Sequence, residues 1–139
     1  MAISQAFCTS AKVGFLTGTY VPLTDVMKIA LFTSTATLDA TTTAYSTTNE
    51  VVGTGYTAGG NTLAGAAISS ASGTAWITFS DSSWTTATIT ARGALIYDSS
   101  KSNAAIAVLD FGSDKTSTAG TFTVQMPVAA AATALIRIA

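Results

Sequence analysis

From Val26 onward the chain is written in short runs of β-branched and apolar residues, each closed by a cluster of Gly, Ser, Asn or Asp. Runs of this kind form strands and the clusters form the turns between them. Val26–Thr33 is apolar on both faces, as a central strand requires. Further strands are predicted at 62–68, 74–79, 85–92, 94–97, 104–111, 121–126 and 134–138. Residues 41–50 read as a polar loop or a solvated edge strand, and 53–61 as a glycine-rich loop. Residues 98–103 and 112–120 read as polar turns. The prediction is therefore an all-β fold, an antiparallel β-sandwich or jelly roll of about eight strands with a short N-terminal helix or arm.

The helical exception lies before Pro22. Ile3, Phe7, Ala11 and Phe15 recur every four residues, which predicts a helix over 2–17 ended by Gly18. The expected organisation is an N-terminal helical arm, 1–18, followed by a single β-sandwich domain, 19–139. Ile3, Phe7 and Phe15 are candidate interface residues, buried on the chain's own sandwich or, as the favoured expectation, on a neighbouring subunit. Trp84, just after the polar Asp81-Ser82-Ser83, is a fourth candidate for an interface, whereas Trp76 reads as core.

Charge then limits the function classes. Charged residues make up 9 % of the chain, with a formal net charge of −1. That supplies no electrostatic footprint for nucleic acid. Their place is taken by 26 Thr, 15 Ser and 26 Ala. Threonine favours strands and wets an exposed face without charge. In Thr86-Ala87-Thr88-Ile89-Thr90-Ala91 the alternation places threonines on one face and apolar residues on the other. A Thr/Ser/Ala face packs closely against another protein with little side-chain entropy to lose.

The chain has no histidine, which removes the usual general base and the commonest metal ligand. Cys8 is the only cysteine, so neither an intrachain disulfide nor a thiolate cluster can form; it reads as a small buried residue. The Gly53–Gly60 loop lacks the Gly-Lys-Ser/Thr ending and the following helix of a phosphate-binding loop. Asp110-Phe111-Gly112 matches a kinase triplet without any other kinase element. Asp110 and Asp114 share one predicted turn, but their spacing matches no calcium loop. The expectation is a non-enzymatic protein without cofactor or metal. The start of the chain lacks a basic region followed by an apolar stretch, which argues against a secretory leader. The longest apolar run, 126–132, is far short of the about 20 residues needed to span a membrane.

Several stretches carry a resemblance to a known family. Met1-Ala2-Ile3-Ser4-Gln5-Ala6-Phe7-Cys8-Thr9-Ser10, Lys28–Ser34, Thr47–Gly60, Thr86–Tyr97 and Val108–Lys115 together resemble small structural proteins of tailed bacteriophages. The resemblance runs over nearly the whole length, and Glu50–Gly60 is its most distinctive part. It implies a virion component, assembled in the host bacterial cytoplasm and located on the capsid surface as a decoration or cement protein. The implied partners are the major capsid protein and copies of the chain itself, as a dimer or trimer, with no nucleic acid and no membrane. A tail or fibre-base component is the alternative, and a carbohydrate-binding adhesin module using Trp84 is a third. The resemblance brings no catalytic residues with it.

Overall fold

A computed structural model describes residues 2–138. Among these, the elements in chain order are β1 (Ala6–Phe7), α1 (Thr9–Leu16), β2 (Met27–Phe32), β3 (Asn61–Thr62), β4 (Ala67–Ala71), β5 (Thr74–Thr78), β6 (Ser82–Asp98), β7 (Ala104–Val124) and β8 (Ile136–Ile138). They form two antiparallel sheets, one of five strands ordered β1-β7-β6-β2-β3 and one of three ordered β4-β5-β8. The fold is all-β with one short helix, as the strand-and-turn pattern predicts.

The large sheet is built on one long hairpin. β6 and β7 pair from Asp98↔Ala104 beside the connecting turn out to Ser82↔Val124. Three sequence expectations change here. The predicted strands 85–92 and 94–97 are one strand, 104–111 and 121–126 are another, and 112–120 is not a free turn. The register runs through Gly93↔Asp110 and resumes at Ala91↔Lys115, so residues 111–114 bulge opposite the single residue Arg92. Gly112, at φ 81°, lets the backbone make that excursion. The polar cluster that signals a turn is here a large bulge within a continuing strand.

β2 packs into the sheet between β6 and β3, and Ile29, Ala30 and Leu31 are fully buried. With Leu95, Ile96, Ile106 and Val108 they form the centre of the core. Each of the Ile, Leu and Val side chains here contributes about 1.5–3 kcal/mol relative to exposure. The predicted strand over 62–68 divides instead into β3 and β4. The predicted strand over 134–138 shortens to β8.

The predicted helix over 2–17 is also corrected. Only Thr9–Leu16 is helical. Residues before Cys8 are extended because the edge of β7 offers them a ladder: Ala6 pairs with Val108 and Phe7 with Ala107. Ile3 forms a parallel bridge with Leu38, and the Ser4 amide donates to the Leu38 carbonyl at 2.8 Å. A four-residue apolar spacing fits a helix, yet an open strand edge satisfies more backbone groups than an isolated helical turn does. α1 ends at Gly18 as predicted. Gly18 has φ 75°, its amide donates to Phe15 O, and the Thr19 amide donates to Gly14 O at 2.8 Å, a left-handed helix cap. Gly14 has a packing reason as well: a Cβ there would occupy the space of the Tyr20 ring.

Candidate functional site

The four candidate interface residues do not form one surface. Ile3 is 7 % exposed and lies against Gly93, where a Cβ would touch its methyl groups. Phe7 and Phe15 are half-buried and meet edge to face at 5.8 Å, and Phe15 meets Tyr20 in the same way at 5.5 Å. The arm thus docks on its own sheet within the chain. Trp84 is 4 % exposed, with Tyr56 at 5.8 Å and Phe122 at 6.3 Å from its ring. This corrects its placement at an interface. On β6 its side chain alternates inward, and the polar residues before it mark the start of the strand rather than an outward-facing position. Trp76, read as core, is 9 % exposed on β5, opposite Ser69 and Arg137.

The polar architecture that organises the chain lies around Glu50, a residue not singled out from sequence. β3 pairs with β2 only at Lys28 and Ile29, so the outer edge of β2 beyond them needs other partners. The loop after residue 48 supplies them. Val51 donates to the Leu31 carbonyl at 2.9 Å, and the Leu31 amide donates to the Tyr56 hydroxyl at 2.8 Å. Tyr56 in turn donates to Glu50 Oε1 at 2.9 Å, and the Gly59 amide donates to the same oxygen at 2.7 Å. Tyr45 donates to Glu50 Oε2 at 2.6 Å, and Tyr97 donates to the Gly59 carbonyl at 2.7 Å. Glu50 is 7 % exposed, and every one of its donors is neutral.

A buried carboxyl group is tolerated only when its lone pairs are filled in this way. Burial first, and after it the contact with Glu50, push the Tyr45, Tyr56 and Tyr97 hydroxyls above their ordinary values, so they stay donors. Gly60 completes the loop at φ 74°, where a Cβ would overlap the Ile29 carbonyl. The glycine-dense segment is thus a strap held over β2 by one acid and three tyrosines. A lone glutamate followed by a tyrosine amid uncharged residues was the available signal.

A second acid cluster sits at the hairpin tip. Asp98 is fully buried; its Oδ1 accepts the Ser100 amide at 2.9 Å, and its Oδ2 is buried without a hydrogen-bond partner. Asp25 accepts the Val21 amide at 2.9 Å and lies 4.0 Å from Lys101 Nζ. Burial, and then the neighbouring Asp25, push the Asp98 carboxyl up to about 7. The neighbouring Asp98 side chain holds Asp25 below its usual value. Of the two carboxyls, Asp98 is therefore the one that takes up a proton more readily.

Asp110 pins the bulge. Its Oδ1 accepts the Gly112 amide at 2.9 Å and Arg92 Nε at 3.3 Å, and these donors in that order hold its carboxyl below the usual range. Asp114 takes no part in this cluster. Among the described residues no group of three or more His, Cys, Asp or Glu gathers in a way that could hold a metal ion. Cys8 is fully buried, and burial followed by the nearby Asp39 raises its thiol to about 11. The protonated form dominates at neutral pH, so the side chain acts as a small apolar group.

A cleft of about 440 Å³ runs between β1, β7 and the 124–135 segment. Its only acid is Asp110, already engaged by Arg92 and Gly112. What these arrangements do chemically is fix loops to sheet edges. No described helix is long and apolar enough to cross a membrane. Comparisons with protein-family models, curated proteins and solved structures found no match to this chain.

Proposed function

We propose that the chain is a structural protein of a tailed-bacteriophage virion, a decoration or cement protein that bridges major capsid subunits on the head. The observation that carries this reading is the resemblance to small virion proteins across Met1–Ser10, Lys28–Ser34, Thr47–Gly60, Thr86–Tyr97 and Val108–Lys115. The buried Glu50 network supports it in kind. Glu50–Gly60, the most distinctive stretch, spends its polar groups on holding a strap in place, which suits a mechanical protein.

In this reading the two sheets are the layers of a sandwich-like body, rigid enough to bridge subunits without ordering entropy at each contact. The charge-poor Thr/Ser/Ala surface lets identical copies approach one another on a lattice, where weak contacts add through repetition. The protein acts through contact with the capsid protein and with its own copies, and carries out no reaction.

Particles with and without the protein should differ in a thermal DNA-release assay, the decorated heads releasing at higher temperature. Cryo-microscopy should place its density on the head shell. Density confined to the tail, with unchanged release, would replace this reading with a tail or fibre-base role. Specific binding to a host glycan would point instead to an adhesin.

A further inference from the structure

β4 is an edge strand with none of the usual protections. All five of its residues are exposed. It pairs with β5 on one side in an unbroken register from Ala67↔Thr78 to Ala71↔Thr74, and β8 occupies the far side of β5. The outer edge of β4 therefore presents alternate N–H and C=O groups to solvent. Natural sheets blunt such an edge with Lys, Pro, a bulge or extreme shortness. From Val51 to Ser80 the chain has no charged residue and no proline, and the β4–β5 ladder has no register shift.

Among the described residues the other edges are short, bridged or irregular, the outer edge of β6 before Gly93 being bridged by Thr54 at Thr88 and carrying Arg92. β1 and β3 are two residues long, and β8 is three residues long and carries Arg137. The outer part of β7 is broken by the 111–114 bulge and carries Asp114 and Lys115. Among the described strands, β4 alone combines length, regularity and neutrality at its free edge. Beside it Ile68 is 50 % exposed, at the mouth of a groove of about 320 Å³ between the small sheet and Phe15, Tyr20 and Pro22.

We infer that β4 is a homodimer contact: the β4 strands of two copies pair antiparallel about a two-fold axis, joining two three-stranded sheets into one of six. An open ladder is satisfied only by another extended backbone. Antiparallel pairing of a strand with itself is what a two-fold axis generates, so no second complementary surface is required. The uncharged 51–80 stretch sets no repulsion between copies. Centred on Ser69, the pairing sets Ala67 against Ala71 and Ile68 against Ser70, so each cross-strand pair contains a small side chain. Ile68 of each copy is then covered at the new seam. The contact does not rest on the capsid reading, and either can fail without the other.

The test is the mass of the full chain in solution, measured by sedimentation equilibrium over a range of concentrations. The wild type is expected to approach twice the chain mass. Ser69→Lys and Ser69→Glu each set like charges opposite one another across the axis, and each should sediment as a monomer. Their equimolar mixture should recover the dimer, which also shows that both variants fold. Amide exchange at 67–71 in the wild type should slow as concentration rises. A wild type that stays monomeric, charged variants that keep the wild-type mass, or exchange at 67–71 that ignores concentration would overturn the contact. Decoration of particles is scored separately on virions, so a monomeric wild type that still coats heads removes the β4 dimer alone.

Discussion

The rings of Tyr45 and Tyr97 stack 4.5 Å apart with their planes 10° from parallel, while their hydroxyls serve opposite ends of the same strap. Tyr45 holds Glu50 and Tyr97 holds the carbonyl of Gly59. The stack therefore ties the beginning and the end of the loop to β6. Removing one hydroxyl leaves the ring packing intact and isolates the polar contribution.

Tyr56 is the most informative site for that experiment. Its hydroxyl accepts from the buried Leu31 amide and donates to Glu50. Tyr56→Phe should destabilise the protein by about 1–3 kcal/mol, the cost of a buried donor left without an acceptor. Glu50→Ala, which strands two tyrosine hydroxyls and the Gly59 amide, should cost more. Urea denaturation of the three proteins checks both the sign and the order.

The Asp25–Asp98 pair predicts a pH dependence with a defined direction. Unfolded, Asp98 loses its proton near 3.8; folded, it holds the proton up to about 7. Its contribution to stability is full below the unfolded value and is lost as pH rises through this window, with no further change above it. Asp25, held below its usual value, acts oppositely: its contribution is present above the ordinary value and is lost in stronger acid. Asp98→Asn keeps a donor toward Asp25 at every pH. The variant should lose the fall in stability between pH 4 and 7, and gain on the wild type more at pH 8 than at pH 5. Denaturation midpoints across pH measure this, and parallel curves for the two proteins would refute the raised Asp98 value.

Gly14→Ala should destabilise by about 1–3 kcal/mol, as overpacking does, although alanine is the better helix former. The added methyl meets the Tyr20 ring. Calorimetry should show a lower melting temperature, restored in part by Gly14→Ala combined with Tyr20→Leu.

Deleting residues 2–17 should damage the fold itself. The segment contributes the fully buried Cys8 and Ala11, and its β1 pairs with Ala107 and Val108 on β7. The truncated chain is expected to melt at a clearly lower temperature and to bind a hydrophobic dye. A truncated chain with wild-type melting would show that the segment only decorates the sheet.

Much of the fold was legible because strand patterning is local. The buried run of β2, the turn at 98–103 and the helix stop at Gly18 all follow from a few adjacent residues. Four features were not legible, each for a non-local reason. The stripe from Ile3 to Phe15 fits a helix until the open β7 edge takes residues 6–7 and Leu38 takes Ile3. The polar 112–120 stretch looks like a turn unless Arg92 and Asp110 are known to face each other across the hairpin. Trp84 follows polar residues, yet its ring points inward to Tyr56, Phe122 and the core. The Glu50 site was visible only as a glycine-rich loop, because its partners at 31, 45 and 97 come from separate parts of the chain.

The pairing of β1 with β7 also sets the timing of the fold on the ribosome. Ala6 and Phe7 are made about a hundred residues before their partners Val108 and Ala107. The β6–β7 hairpin zips locally around its short turn, but β1 waits for it. During that interval the Cys8 thiol, wholly hidden in the finished sheet, stands open to alkylating reagents. Labelling of Cys8 on nascent chains stalled at successive lengths would therefore date the closure of the sheet.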